Sequence, residues 1–275
     1  MRYPSLFQRT ALRRTLVAMA LASAYAGAWA LPTFTFTPSA VGLTGSAVTA
    51  DNVLLSDFSN VTFTGATTFT DTGYLSITGF QLGGSNVTAG GLNSTYSLYF
   101  QFSGTGHLTT GTSSTDPRTS LTAGVFDTMT YSLIGSSGNT TFGFTGLTPT
   151  ATPGGATQTL ATGTLLNGNV VTTPANGNTA FVPSAAATLT FAVAAGKQGF
   201  FLPSPFYNMA FTAFTNAVST VEPFGAGGPG SGFLINNGGG NLNFAQPIPE
   251  PGTYALMMAG LGVIGFVARR RAVQR

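Results

Sequence analysis

One histidine, five aspartates, two glutamates and no cysteine set the limits of the side-chain chemistry available to this chain. His107 would have to be the base of any Ser-His-Asp triad, since no second histidine exists. It lies in Ser103-Gly-Thr-Gly-His-Leu108, a glycine-rich context with no G-x-S-x-G elbow and no acid paired with it locally. That context reads as a solvated turn histidine. Asp51, Asp57, Asp71, Asp116 and Asp127 are scattered, without the dense D-x-D-x-D-G spacing of a calcium loop. Two carboxyl groups can still meet in space, as glycosidases require, but spacing along the chain does not decide that. The expectation is a protein that is not an enzyme, with no cofactor and no metal site.

A second kind of chemistry, recognition by processing peptidases, is written at the two ends. Arg2, Arg9, Arg13 and Arg14 lead into an apolar run from Leu16 to Trp29. Ala28 and Ala30 supply the small residues needed at −3 and −1, so residues 1–30 are expected to be a signal peptide cleaved after Ala30. At the other end Pro249-Glu250-Pro251 precedes an apolar stretch, 254–268, and then Arg269-Arg270-Arg271. Each proline pushes its predecessor toward extended backbone, which presents an accessible peptide outside the bilayer. At about 1.5 Å per residue the apolar stretch is shorter than a hydrocarbon core of roughly 30 Å. Glycines at 260, 262 and 265 weaken it further as a permanent helix. The three arginines act as the cytoplasmic stop.

Ile248-Pro249-Glu250-Pro251, a glycine-bearing apolar helix and a terminal arginine run resemble the PEP-CTERM sorting signal. That tail occurs on exported proteins of Gram-negative bacteria that make exopolysaccharide. The resemblance implies cleavage near the motif by an exosortase-like membrane peptidase, with Pro249, Glu250 and Pro251 as the recognition element. Stretches of the body resemble the flocculation-associated subgroup: Gly42–Asp51, Thr78–Gly84, Gly91–Tyr96, Pro205–Phe211, Ala213–Ala217 and Asn241–Ala245. The similarity covers most of the chain but is poor over 145–185. It implies a role in holding cells in flocs through secreted exopolysaccharide, and it carries over no catalytic residue.

The overall pI of about 9.4 belongs to the ends. Between residues 31 and 248 only Arg118 and Lys197 are basic, against Asp51, Asp57, Asp71, Asp116, Asp127 and Glu222, which leaves four net negative charges. A basic patch for phosphate backbones is absent, so nucleic acid is excluded as a partner. Without cysteine there are no disulfides, although the destination is oxidising.

The body must be built from strands. Val61–Thr64 and Leu189–Val193 alternate apolar with small or polar residues, as do Thr95–Phe102 and the row Val125, Met129, Tyr131 and Leu133. Asp127 shares that last row and reads as a strand-end aspartate bonded to a turn. Glycine, asparagine and proline punctuate the runs, and no segment from 31 to 248 has a helical pattern. All but Phe7 and Phe266 of the 23 phenylalanines lie in this body, where they are expected to pack two apposed sheets. The fold class expected is all-β, an antiparallel β-sandwich or jelly-roll-like body over 31–246, with an N-terminal signal helix and a C-terminal transmembrane helix within a 247–275 sorting signal. The 145–185 stretch lacks strand rhythm up to Phe181 and reads as a long loop or edge insertion. Tyr99, on the polar face of its strand, is a candidate sugar contact; the alternative is a second buried face.

The expected function is that of a non-catalytic surface or matrix protein, exported through transient inner-membrane anchoring to the cell surface or matrix. Its expected partners are signal peptidase, the exosortase-like peptidase, extracellular polysaccharide and other copies of itself. Two alternatives stand beside it: a secreted carbohydrate-active enzyme on a jelly-roll scaffold, and a calcium-stabilised adhesion module.

Overall fold

The computed structural model describes residues 31–175, 181–215 and 220–245. The expected signal peptide with Ala28 and Ala30, the sorting motif Pro249–Pro251, the expected 254–268 helix and the expected stop Arg269–Arg271 lie outside the described residues. Among the described residues no helix is long and apolar enough to cross a membrane.

Alternation of apolar and polar residues gives sixteen strands among the described residues. In chain order they are β1 (Phe34–Phe36), β2 (Val48–Ala50), β3 (Asn52–Phe63), β4 (Thr68–Leu82), β5 (Ser85–Val87), β6 (Ser97–Thr110), β7 (Thr122–Ser136) and β8 (Thr141–Thr145). There follow β9 (Thr148–Thr152), β10 (Thr157–Pro174), β11 (Phe181–Thr190), β12 (Ala192–Val193), β13 (Phe201–Leu202), β14 (Met209–Thr215), β15 (Val221–Phe224) and β16 (Gly232–Ala245).

Eight of these strands form a ring. β3, β4, β6, β7, β10, β11, β14 and β16 pair antiparallel, each with the next. β16 then returns to pair with β3. The all-β antiparallel expectation holds, but the arrangement is one closed up-and-down barrel where two apposed sheets were expected. Closure removes the sheet edges that a sandwich leaves open. Register irregularities in β10, β16, β6–β7 and β3–β4 supply the local bends that let the sheet curl shut.

The stretch expected to be a loop contains the longest strand. β10 runs for 18 residues, and its polar Thr-Gly-Asn composition hides the alternation because two register shifts reset the phase. A bulge has the same effect in β7. Phe126 faces the core with Thr122 and Gly124, and after the bulge Met129, Tyr131 and Leu133 take over the inward phase. Val125 and Asp127 therefore do not share a face with Met129, contrary to the strict period-two reading.

One end of the barrel is plugged with aromatic rings. β1 pairs with β2 and β13 and delivers Phe34 and Phe36 against Phe200, Phe201, Phe206 and Phe244. Phe244 of β16 sits at the centre, 4.9 Å from the Phe34 and Phe191 ring centroids and 5.0 Å from Phe206. A smaller apolar cluster of Val61, Phe69, Leu108 and Phe126 lies toward the other end.

Candidate functional site

Between the aromatic plug and the opposite end lies a cavity of about 620 Å³. Its wall is mostly phenylalanine, leucine, valine and alanine from all eight ring strands, and the joining segments Thr112–Arg118 and Pro223–Gly227 complete it. Eight strands leave just enough interior for packed side chains or one small ligand. Here glycine and serine at inward positions keep it from filling. One register row reads Ile235–Ser59–Gly73–Phe102–Tyr131–Gly163, and the next reads Phe233–Val61–Asp71–Gly104–Met129. A Cβ at Gly73 would lie 2.4 Å from the Phe58 carbonyl oxygen, so this position admits no larger residue without backbone movement.

Two carboxyl groups face this apolar space. Asp57 continues the inward phase Val53, Leu55, Asp57, Ser59, Val61 of β3, and Asp71 that of Phe69, Asp71, Gly73, Leu75 on β4. Oδ1 of each is buried without a hydrogen-bond partner. Burial raises the Asp57 pKa from 3.8 to about 7; the nearby Ser59 hydroxyl opposes this weakly, without reaching hydrogen-bond geometry. Asp71 is pushed well above the ordinary carboxyl range, first by burial and then by the neighbouring Asp57 charge. Tyr131 reaches past Gly163 to donate its hydroxyl to the Thr190 carbonyl at 2.6 Å, and burial pushes its pKa up. Along the sequence Asp57 and Asp71 are two scattered aspartates. The signal that finds them is an acid in the apolar phase of two adjacent strands.

The cavity reaches the surface beside Asp116 and Arg118, whose side chains are 39% and 54% exposed. Arg118 Nε and Nη2 donate to Asp116 Oδ1 and Oδ2 at 2.9 and 2.8 Å. These hydrogen bonds hold the Asp116 carboxyl below its usual range.

His107 is not a turn residue but sits within β6, and an acid does accompany it. Thr105 pairs with Thr128 and Gly106 with Phe126, so Asp127 is the extra residue of the β7 bulge and turns toward the ring. Its Oδ1 and Oδ2 lie 2.8 and 3.0 Å from His107 Nδ1. The side chains are 44% and 46% exposed, so the pair contributes less than about 1 kcal/mol. Among the described residues no hydroxyl is hydrogen-bonded to the imidazole, so the nucleophile of a triad is missing. No group of three or more acidic or histidine side chains gathers among the described residues.

Tyr99 does not reach solvent. It is 4% exposed, covered by Phe142 of the β8–β9 hairpin at 5.4 Å and edged by Tyr74 at 6.1 Å. The hairpin lies over the outer face of the barrel, where Phe142 also stacks on Phe58. A sugar cannot stack on Tyr99 in this arrangement, and the second buried face is the reading that fits.

Beside the hairpin, whose Leu147 carbonyl accepts from Asn60 Nδ2, the outer face is clad in hydroxyls. The register places Asn60, Thr72, Ser103, Thr130 and Thr164 side by side across five strands, and Thr164 Oγ1 lies 3.1 Å from Thr190 Oγ1 on a sixth. A parallel row carries Thr62, Thr70, Thr105 and Thr128, with the last two hydrogen-bonded at 2.8 Å. A lipid-facing barrel carries an apolar outer band instead.

This fold and surface belong to a polar-coated β-barrel with an apolar interior. Residues 247–271, just beyond β16, match the model of the PEP-CTERM protein-sorting motif. The match marks an exported protein sorted at the membrane, with an exosortase-type peptidase as its processing partner. No curated protein and no solved structure matches the chain.

Proposed function

We propose that this is a non-catalytic protein of the cell surface or extracellular matrix that associates with extracellular polysaccharide and promotes flocculation or biofilm formation. The observation that carries this reading is the pair of hydroxyl and amide rows in register across the outer barrel face. Such rows exchange hydrogen bonds with neutral sugar hydroxyls, and weak contacts repeated along a polymer add up to avidity. With Tyr99 covered, recognition rests on these polar rows and not on a stacked aromatic ring. The ring itself has no free edge, so contacts between copies fall to its faces or to the short strands outside it, such as β15 and the β8–β9 hairpin.

Asp57 and Asp71 meet one requirement of the carbohydrate-active enzyme reading, two carboxyl groups facing one space. The wall around them is largely aromatic and aliphatic, although Thr122, Thr172, Ser184 and Thr212 add hydroxyls to it. Among the described residues no basic side chain is paired with either carboxyl group. The non-catalytic reading is therefore preferred.

The test replaces Thr72, Thr130 and Thr164 together by valine, which keeps shape and strand preference while removing the hydroxyls. The expected result is an exported chain with an unchanged circular-dichroism spectrum that no longer co-sediments with the cells' exopolysaccharide. Undiminished co-sedimentation and floc size would defeat the reading.

A further inference from the structure

We propose that the barrel interior is a binding site for a hydrophobic amine, whose apolar body fills the phenylalanine-lined cavity and whose protonated nitrogen is received by Asp57 and Asp71. This inference is independent of the outer-face reading.

Size and wall come first. A cavity of about 620 Å³ falls within the roughly 300–1,000 Å³ usual for small-molecule sites, which pair an apolar wall with a few placed polar groups. Here the placed groups are two carboxyls, and their Oδ1 atoms have no partner. A buried polar atom left unpaired destabilises the fold, so each one calls for an explanation.

Charge then selects the ligand class. The ionisable groups on the cavity wall are Asp57, Asp71, Tyr131 and the rim pair Asp116–Arg118. Tyr131 is engaged with the Thr190 carbonyl, and Arg118 with Asp116. The other basic side chain among the described residues, Lys197, donates to Gln158 instead. Among the described residues no basic side chain faces the two acids, so in the empty barrel they keep their protons, and a cationic ligand is what lets them ionise. An ammonium group brings three donors and a positive charge. An alcohol brings one donor and no charge, and a carboxylate would be repelled. Ser59, Gly73 and Gly104 flank the acids; backbone packs closely where a Cβ would sit at the two glycines, so the room for the head group is the cavity itself. The exposed Asp116–Arg118 rim marks the way in.

The test titrates octylamine, octanol and octanoate, matched in chain length, into the exported chain at pH 7 by calorimetry. Octylamine is expected to bind at least tenfold more tightly than octanol, with octanoate weakest, and to bind more tightly at pH 8 than at pH 5.5. In the Asp57→Asn/Asp71→Asn double variant the preference for octylamine over octanol should shrink to within twofold. Should that variant fail to fold, the wild-type protein still decides. Octylamine binding, repeated in buffers of different ionisation enthalpy, should release protons that octanol binding does not. Equal affinity for amine and alcohol, no proton release, or no binding by either compound would overturn the proposal.

Discussion

The two buried aspartates predict an inverted dependence of stability on pH. In the unfolded chain the Asp57 carboxyl loses its proton near 3.8, while in the barrel it keeps it to about 7. Between those values the native state holds a proton that the unfolded state has lost, so stability is greatest at low pH and falls as pH rises toward 7. At roughly 1.4 kcal/mol per pH unit, a gap of this size amounts to a few kcal/mol for the two interacting acids together. Asp71 is raised in the same direction and adds to the slope. That is a large share of the roughly 5–15 kcal/mol that holds a typical domain folded. Asp116 works the other way: held low by Arg118, its contribution is lost only as pH falls below the ordinary carboxyl range. Urea unfolding followed by circular dichroism at about pH 4.5, 6 and 8 should give a midpoint that falls across the series. The double variant Asp57→Asn/Asp71→Asn, which removes the titration at constant shape, should be level across it and more stable than wild type at pH 8. A wild-type midpoint that stays level or climbs, or a variant that keeps the full slope, refutes the reasoning.

Phe244→Ala should lower stability by about 3–5 kcal/mol, because it empties the centre of the aromatic plug against Phe34, Phe191 and Phe206. A urea midpoint equivalent to less than about 1 kcal/mol of loss would show that the plug re-forms around the gap. Replacing Pro249, Glu250 and Pro251 by alanine should leave an uncut, membrane-held form detectable by immunoblot, with loss of flocculation. Normal release of a shortened product would sink the assignment of that motif.

Much of the barrel is legible in the sequence wherever the side-chain period is unbroken. Leu98, Phe100 and Phe102 alternate cleanly and all three are buried. Period two fails where a bulge adds a residue. At Asp127 the slip hid the partner of His107, and in β10 two shifts disguised a strand as a loop. Closure is not legible either, because sandwiches and barrels share the same alternating pattern, and only the pairing of β16 with β3 separates them. Asp57 and Asp71 were visible as residues but not as a pair. Their facing one cavity depends on the register that sets Ser59 opposite Gly73, with one acid on either side of that pair. Tyr99 shows the converse: its outward phase was read correctly, but a hairpin further along the chain lies across it.

The pairing of β16 with β3 also imposes an order of assembly. Ser56 donates to Asn237 across that seam at 2.6 Å, from 181 residues away in the chain. Contacts this distant form late, since the intervening chain must be organised before they repay its loss of freedom. Until Gly232–Ala245 has crossed the membrane, β3 and β14 each present a bare edge to other incomplete chains. The segment that seals the barrel ends at residue 245, and the matched sorting motif begins at 247. A peptidase acting within that motif leaves the sealing strand whole.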